Sequence, residues 1–207
     1  MGELTYSIAT PAYAERIVAL ELACFPSIDA EHLLTVEDVN IQTEVFPEGA
    51  FMVLDDERVV GIGSGIFLDY DLTKIQHTMD EVLHDGIRSH DPEGDWYYGI
   101  DIAVDPDYRG RGIGQQLYEL RKRVVRDFGR KGIIAGGVLP GYADHKHTMS
   151  AGAYVEAVAA GGLVDPTLSF QIRNGFEVLG AIANYVDDPE TDGWAAFIIW
   201  RNPEVGS

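Results

Sequence analysis

The strongest hydrophobic pattern in the chain predicts a helix that begins near Ile113. Apolar residues recur there at helical spacing, so that one stripe of the helix faces a core. The residues of this stripe are Ile113, Leu117, Leu120, Val124 and Phe128. Gly129 follows, and glycine favours the left-handed conformation in which many helices end. The apolar run from Trp96 to Val104 predicts a strand, so a strand-to-helix loop lies between the two elements.

The rest of the chain alternates between strand and helix patterns, which indicates a mixed α and β fold. Apolar runs bounded by turn residues predict further strands at 4–9, 51–54, 59–67, 132–139, 176–183 and 194–200. Helical spacing and capping residues predict further helices at 11–25, 35–45 and 165–175. Two stretches, 70–95 and 140–164, are polar and irregular apart from short helices at 79–84 and about 150–160. Without internal repeats, the 207 residues are predicted to form one domain, 1–207.

Charge and composition narrow the classes of partner. The net charge of −19 argues against nucleic acid, because phosphates require a basic surface. The charge is typical of an acidic proteome, although it could also steer a cationic amine toward a site. No apolar run reaches the ~20 residues that span a bilayer, and the N-terminus lacks the features of a signal peptide. Cys24 is the only cysteine, which fits a reducing compartment. Together these features lead us to expect a cytoplasmic protein without membrane contact. No metal site is predicted, since Asp144, His145 and His147 have no further ligands at binding spacing.

The loop from Arg109 to Gly114 carries the clearest chemical signal. Glycines at 110, 112 and 114 let the backbone approach a ligand closely. The following helix directs its N-terminal amides and its dipole at the same place, and Arg109 and Arg111 add positive charge. We therefore expect a bound anion such as a pyrophosphate. Two familiar phosphate-binding motifs do not fit: no lysine follows the glycines, and their spacing differs from the dinucleotide fingerprint.

Arg109, Gly112 and Gly114 match the Arg-x-x-Gly-x-Gly segment of the GNAT superfamily of N-acetyltransferases. The chain resembles this family also in the strand and the Val-x-Pro that precede the segment, and in the order of predicted elements. The resemblance implies an α/β (α+β) fold with a central, mixed and mostly antiparallel sheet of about seven strands. Its fourth and fifth strands would splay apart, and about four helices plus a small inserted helix would flank it.

The C-terminal part resembles one branch of that superfamily. The similar segments are Asp165-Pro-Thr-Leu-Ser-Phe-Gln-Ile-Arg-Asn-Gly-Phe-Glu177, Asn184-Tyr and Trp200-Arg-Asn-Pro203. In this branch the acetyltransferase domain is often fused ahead of a nitrilase-type carbon–nitrogen hydrolase. We expect no hydrolase domain in these 207 residues, which are too few for one, so a carbon–nitrogen hydrolase would be a separate partner.

The resemblance implies that acetyl-CoA is the acyl donor and that coenzyme A lies along the fourth strand and the glycine loop. The amide of Val104 or a neighbour would stabilise the oxyanion of the tetrahedral intermediate. The expected cofactor-binding residues are Ile102, Ala103, Val104, Arg109, Gly110, Arg111, Gly112, Ile113 and Gly114. In this family the amine attacks the thioester directly, so Cys24 is given no catalytic role.

A base must accept a proton from the incoming ammonium. Family members often carry a glutamate on the fourth strand, where this chain offers Tyr98 and Asp101 as candidates. A structural ion pair is the alternative for Asp101, because a carboxylate in an apolar strand is costly unless it is paired or functional. Strand alternation predicts Tyr98, Ile102 and Val104 on one face and Asp101 on the other.

The general acid is where the chain departs from the family. Members commonly show Phe-Tyr-x-x-x-Gly-Phe at the last helix, whereas Gln171 stands in the tyrosine's place here. Tyr142 is the first candidate to replace it and Tyr154 the second; packing in a core is the alternative for both. The stretches 70–95 and 140–164 are expected to shape the amine pocket, because binding residues concentrate on loops.

The sequence therefore predicts an acetyl-CoA-dependent N-acetyltransferase acting on a primary amine of a small molecule or peptide. Two alternatives stay open. One is a non-catalytic acyl-CoA-binding sensor or accessory protein that works beside an amide hydrolase, and the other is transfer of a longer acyl group. The acceptor and the oligomeric state are not fixed by the sequence, and a homodimer is one option.

Overall fold

Seven strands form one sheet in the computed structural model, which describes residues 3–205. In chain order the strands are β1 (Leu4–Ile8), β2 (Phe51–Asp55), β3 (Arg58–Leu68), β4 (Trp96–Val104), β5 (Gly132–Val138), β6 (Glu177–Ile182) and β7 (Ala195–Arg201). Across the sheet their order is β1-β2-β3-β4-β5-β7-β6. Only β4 and β5 pair in parallel. The predicted mixed, mostly antiparallel sheet is thereby confirmed.

Helices cover both faces of the sheet. Within residues 3–205 they are α1 (Ala14–Cys24), α2 (Val36–Val45), α3 (Met79–Val82), α4 (Ile113–Asp127), α5 (Ala151–Ala159) and α6 (Leu168–Arg173). The single-turn α3 and the inserted α5 are the two short helices predicted in the irregular stretches. α6 begins later than predicted, because Asp165 first holds a turn by accepting hydrogen bonds from the amides of Thr167 and Leu168, both at 2.8 Å.

The apolar stripe of α4 packs into the larger of the cores, as its periodicity predicts. Ile113 and Leu117 are almost completely buried, and Val124 is buried as well. Phe128 is the exception, since it lies after the last helical residue and is 43% exposed. The buried surface of α4 is wider than its apolar stripe. Tyr118, which follows Leu117, therefore also belongs to this core.

The strands β4 and β5 separate after their first three residues. Pairing joins Trp96 to Gly132, Tyr97 to Ile133 and Tyr98 to Ile134, and it stops there. β4 nevertheless continues to Val104. The splayed fourth and fifth strands predicted from the family resemblance are therefore present, and they leave one edge of β4 without a strand partner from β5.

A β-bulge in β4 contradicts the predicted alternation of side chains. Ile102 pairs with Gly63 and Gly99 pairs with Gly65, so two residues of β4 lie opposite one residue of β3. Such an extra residue moves the following side chains to the other face. Ile102 consequently packs on the α4 face, whereas Tyr98 packs in the core on the opposite face. Asp101 lies on the same face as Tyr98, not opposite it, because its carboxylate meets Ser64 beside α1.

None of the helices in residues 3–205 has the length and apolar character needed to cross a bilayer. In the same part of the chain, no three His, Cys, Asp or Glu side chains are grouped so that they could hold a metal ion.

Candidate active site

A cleft of about 630 Å³ opens where β4 and β5 separate. Its walls come from the end of β4, the glycine loop, the start of α4, the end of β5, the start of α6, and two connections. The last residue of α1 and the connection that follows it contribute residues 24–28. The second connection joins β6 to β7 and contributes residues 188, 190 and 191. A volume of this size is within the range of small-molecule and cofactor sites.

The glycine loop presents bare backbone to this cleft. Gly110 and Gly112 have φ angles of 75° and 81°, a left-handed region that strains residues with a Cβ. A Cβ built on either glycine would meet no atom within 4 Å, so their surroundings are open. Gly112 precedes the first turn of α4, and no side chain caps that turn. The first amides of a 15-residue helix are thus left to bind an anion.

The two arginines of the loop are held differently. Arg109 lines the cleft, and its Nε donates to the carbonyl of Val104 at 3.2 Å. Arg111 lies outside the lining; its guanidinium stacks 4.5 Å from the centre of the Tyr108 ring and donates to the carbonyl of Asp107. Arg109 therefore places fixed charge in the cleft itself, whereas Arg111 adds charge at its margin.

Of the expected cofactor-binding residues, all except Arg111 line the cleft. Gly114 allows close packing at its floor, because a Cβ there would lie 3.1 Å from the Phe170 ring. Ile102 to Val104 contribute the edge of β4 that β5 leaves unpaired. These residues, unlike the proposed proton carriers, are brought together in one place.

Asp101 lies outside the cleft lining, in a buried carboxyl pair. Its Oδ2 accepts a hydrogen bond from the Ser64 hydroxyl at 2.9 Å, and its carboxyl group contacts that of Glu21 on α1. Burial and the neighbouring Asp101 raise the pKa of Glu21 to about 10, and burial raises the pKa of Asp101. At neutral pH the pair therefore holds a proton. Arg121 reaches the same bulge from the α4 face, donating to the backbone carbonyls of Asp101 and Ser64.

Tyr98 and Tyr142 also lie outside the cleft lining. The Tyr98 hydroxyl is 2.8 Å from that of Tyr185, and burial raises the pKa of Tyr98 well above its usual value. The Tyr142 hydroxyl donates to the carbonyl of Met149 at 3.2 Å. Tyr154 donates to Asp165 Oδ2 at 3.0 Å. Each of these hydroxyls has a structural partner, and their catalytic roles stay predictions.

The two irregular stretches that are expected to shape the amine pocket contribute little to this cleft, and their role toward an amine stays a prediction. Apart from Pro140, no residue of the stretches 70–95 and 140–164 lines the cleft. The connection after α1 and the β6–β7 connection line the cleft instead, and the amide of Asp29 joins them by donating to the carbonyl of Asp187 at 3.0 Å. Within the second connection, Asp188 accepts hydrogen bonds from the Thr191 hydroxyl and the Glu190 amide.

Sequence reasoning also missed Tyr118, which lines the cleft from α4 although it is only 3% exposed. Its hydroxyl contacts the side-chain amide of Gln171. The apolar stripe of α4 carries no signal for Tyr118, which follows Leu117 and lies outside the stripe. The glutamine in the family's tyrosine position was the available signal, since a polar side chain there needs a partner.

The cleft thus combines a parallel-paired strand, a splayed partner strand and a glycine loop that opens a helix. A sequence profile of the Acetyltransferase (GNAT) family matches residues 14–141, and the chain belongs to that family. This is a family of acetyltransferases.

Two relatives from Bacillus subtilis (strain 168) are similar to the chain. The Uncharacterized N-acetyltransferase YkwB is 32% identical over 201 residues, which cover 96% of this chain and 89% of that protein. The Probable hydrolase YhcX is 36% identical over 193 residues, which cover 91% of this chain but 36% of that protein. The chain thus spans about a third of the length of the second relative.

Solved structures share the fold. The loading GNATL domain of CurA from Lyngbya majuscula superposes with a TM-score of 0.83 at 18% identity, covering 97% of this chain and 98% of that one. YncA, a putative acetyltransferase from Salmonella typhimurium solved with its cofactor acetyl-CoA, gives a TM-score of 0.60 at 14% identity, covering 100% and 98%. At such identities the likeness shows the fold alone.

Proposed function

We propose that the chain moves an acetyl group from acetyl-CoA to a primary amine of a small molecule or peptide, by direct attack in a ternary complex. The observation that carries this proposal is the composition of one cleft. Its lining combines the cationic glycine loop around Arg109 with an acidic connection that contributes Asp188 and Glu190. An anionic donor and a cationic acceptor would each meet opposite charge there.

For the donor, the amides from Gly110 to Gly114 would hold the pyrophosphate together with Arg109. The pantetheine arm would lie along the unpaired edge from Ile102 to Val104, as an added strand does. The amide of Val104 or a neighbour would then stabilise the oxyanion. The open space around Gly110 and Gly112 supports this arrangement, because side chains there would stand in the path of the phosphates.

For the acceptor, direct attack is favoured over an acyl-enzyme by the state of Cys24. Burial raises the pKa of this thiol, and its Sγ lies 3.6 Å from the carbonyl of Val104. A thiol that holds its proton is a poor nucleophile. The amine must instead lose its proton to a base, and Tyr98 and Asp101 remain the predicted bases; either would need a water chain to reach the cleft.

The test is release of coenzyme A thiol from acetyl-CoA in the presence of a broad panel of amines and N-terminal peptides. Cys24 adds at most one equivalent of thiol to the background. We expect release above that background with some amines, matched mole for mole by acetylated amine in mass spectrometry. The same assay with longer acyl-CoA donors decides the acyl length. Tight binding of coenzyme A with no turnover across the panel would contradict the proposal.

A second candidate is an acyl-CoA-binding accessory protein that works beside a carbon–nitrogen hydrolase. The relative that favours it is the longer hydrolase YhcX, of which this chain matches about a third. Binding without turnover in the same assay would favour this candidate. A homodimer stays a prediction, and sedimentation velocity of the chain alone tests it.

A further inference from the structure

Tyr118 is a buried tyrosine that lines the cleft. It belongs to α4, and its ring packs against Phe170 of α6 and against Phe176, with centroid distances of 5.8 Å and 5.1 Å. The ring is buried with only 3% of the residue exposed, yet the residue lines the cleft together with Ile102 and Val138. These two neighbours come from the splayed ends of β4 and β5. Tyr118 therefore lines the cleft at the place where the two strands separate.

The Tyr118 hydroxyl faces the side-chain amide of Gln171. Gln171 is itself 4% exposed, and its Oε1 has no hydrogen-bond partner within residues 3–205. Its amide covers Gly137 of β5, where a Cβ would lie 2.5 Å from Oε1. The side-chain amide of Gln171 lowers the pKa of Tyr118, against the larger effect of burial.

Other tyrosine hydroxyls near the site are already used by the fold. Tyr108, which also lines the cleft, donates to Asp55 at 2.7 Å. Tyr142 donates to the carbonyl of Met149 and Tyr154 to Asp165. Tyr118 differs from all three, because within residues 3–205 no carbonyl or carboxylate accepts a hydrogen bond from its hydroxyl, and the residue lines the cleft.

We propose that Tyr118 is the acid that protonates the coenzyme sulfur when the thioester breaks, and that Gln171 is the positioning residue for it. This inference rests on the proposed acetyl transfer. The amine nitrogen forms the new C–N bond, the C–S bond breaks, and its electron pair stays on sulfur. The Tyr118 hydroxyl gives its proton to that sulfur. The proton lost by the amine nitrogen then restores the phenol through water, so that an amide and a thiol are the only products.

The state of Tyr118 suits this role. Burial raises its pKa above the usual value of 10.0, against the smaller opposing effects of Arg121 and Gln171. The phenol thus stays protonated at neutral pH and can donate. The Gln171 amide cannot donate a proton as an acid. Tyr118 would therefore supply the proton in a chain that carries Gln171 at the family's tyrosine position.

The test compares Tyr118→Phe with Tyr97→Phe. Tyr97 is a matched control, because it is buried in the same core but its hydroxyl donates to the carbonyl of Gly49 at 2.7 Å, away from the cleft. Loss of a general acid costs about 10²–10⁴-fold in rate. We expect Y118F to lower kcat by about that factor, with KM for acetyl-CoA and the affinity for coenzyme A nearly unchanged. Y97F is expected to keep kcat near that of the wild type.

A second donor separates proton donation from a structural role. Acetyl-seleno-coenzyme A carries selenium in place of sulfur, and its selenolate leaves at neutral pH without a proton. The loss in Y118F should shrink strongly with this donor, whereas a distorted cleft would slow both donors alike. Equal losses on both donors, or a Y118F enzyme within about threefold of wild type, would overturn the acid role. So would a fall in kcat seen in Y142F and not in Y118F.

The wild-type assay distinguishes the two proposals. Absence of wild-type turnover with every amine would overturn the proposed function and the acid role with it. Turnover in the wild type together with an active Y118F variant would overturn the acid role alone.

Discussion

Gly112 offers the sharpest test of the anion site, because charge there can be changed separately from shape. Its φ of 81° strains any residue with a Cβ, but Asn and Asp tolerate the left-handed region better than other side chains. Nothing lies within 4 Å of a Cβ at this position, so both side chains would extend into the open cleft. Gly112→Asn and Gly112→Asp therefore differ almost only in one negative charge.

The size of the effect follows from Coulomb's law. A carboxylate about 4 Å from a phosphate charge is repelled by about 1 kcal/mol in water and about 4 kcal/mol at an effective dielectric constant of about 20. Because the loop is partly open to solvent, we take about 2 kcal/mol, which is a ~30-fold loss of affinity. The Asn variant should lose less affinity than the Asp variant, since it has the same backbone strain but no added charge.

The assay is calorimetric titration of each variant with coenzyme A at about 0.15 M and about 1 M salt, where the Debye length falls from about 8 Å to about 3 Å. We expect the Asp variant to bind ~30-fold more weakly than the Asn variant at low salt, with a smaller difference at high salt. Thermal unfolding should be alike for both. Equal affinities for the two variants would refute the assignment of the pyrophosphate to this loop.

Three further predictions follow from the buried groups. Glu21→Gln should flatten the loss of stability with rising pH. The folded-state pKa of Glu21, about 10, exceeds the unfolded value of 4.5, so the free energy of unfolding of the wild type falls between these pH values by at most about 1.4 kcal/mol per pH unit. Urea unfolding measures this fall, and parallel pH profiles of the two proteins would contradict the prediction. Asp165→Ala should cost at least about 3 kcal/mol of unfolding free energy, because the buried carboxylate accepts four hydrogen bonds, including those from Gly141 and Tyr154; a loss under about 1 kcal/mol would disprove its bracing role. Coenzyme A should slow alkylation of Cys24, which lines the cleft, and an unchanged alkylation rate at saturating coenzyme would place the ligand elsewhere.

The parts of the fold that depend on local sequence could be predicted. The strand ending at Val104, the glycines and the α4 stripe each leave a periodic or conformational signal in neighbouring residues. The anion loop is a product of these local signals, and its position in the structure agrees with them. The family resemblance supplied what local patterns cannot, namely the order of strands and the splay between β4 and β5.

Features that depend on contacts between distant segments could not be predicted. The bulge in β4 shifts Asp101 to the face of Glu21, and the pair forms only because α1 packs there. Regular strand alternation assumes that no extra residue is present, so it predicted the wrong relative faces for Tyr98, Asp101 and Ile102. Likewise, the connections after α1 and between β6 and β7 line the cleft, because sheet topology brings them together. Polar character alone pointed instead to the longer irregular stretches.

The most direct test of the central claim is a crystal structure of the chain with coenzyme A bound. We predict the pyrophosphate against the amides from Gly110 to Gly114, the pantetheine arm along Ile102 to Val104, and the sulfur within hydrogen-bonding reach of the Tyr118 hydroxyl. A coenzyme bound outside the cleft between β4 and β5, or with its pyrophosphate away from the glycine loop, would contradict the account.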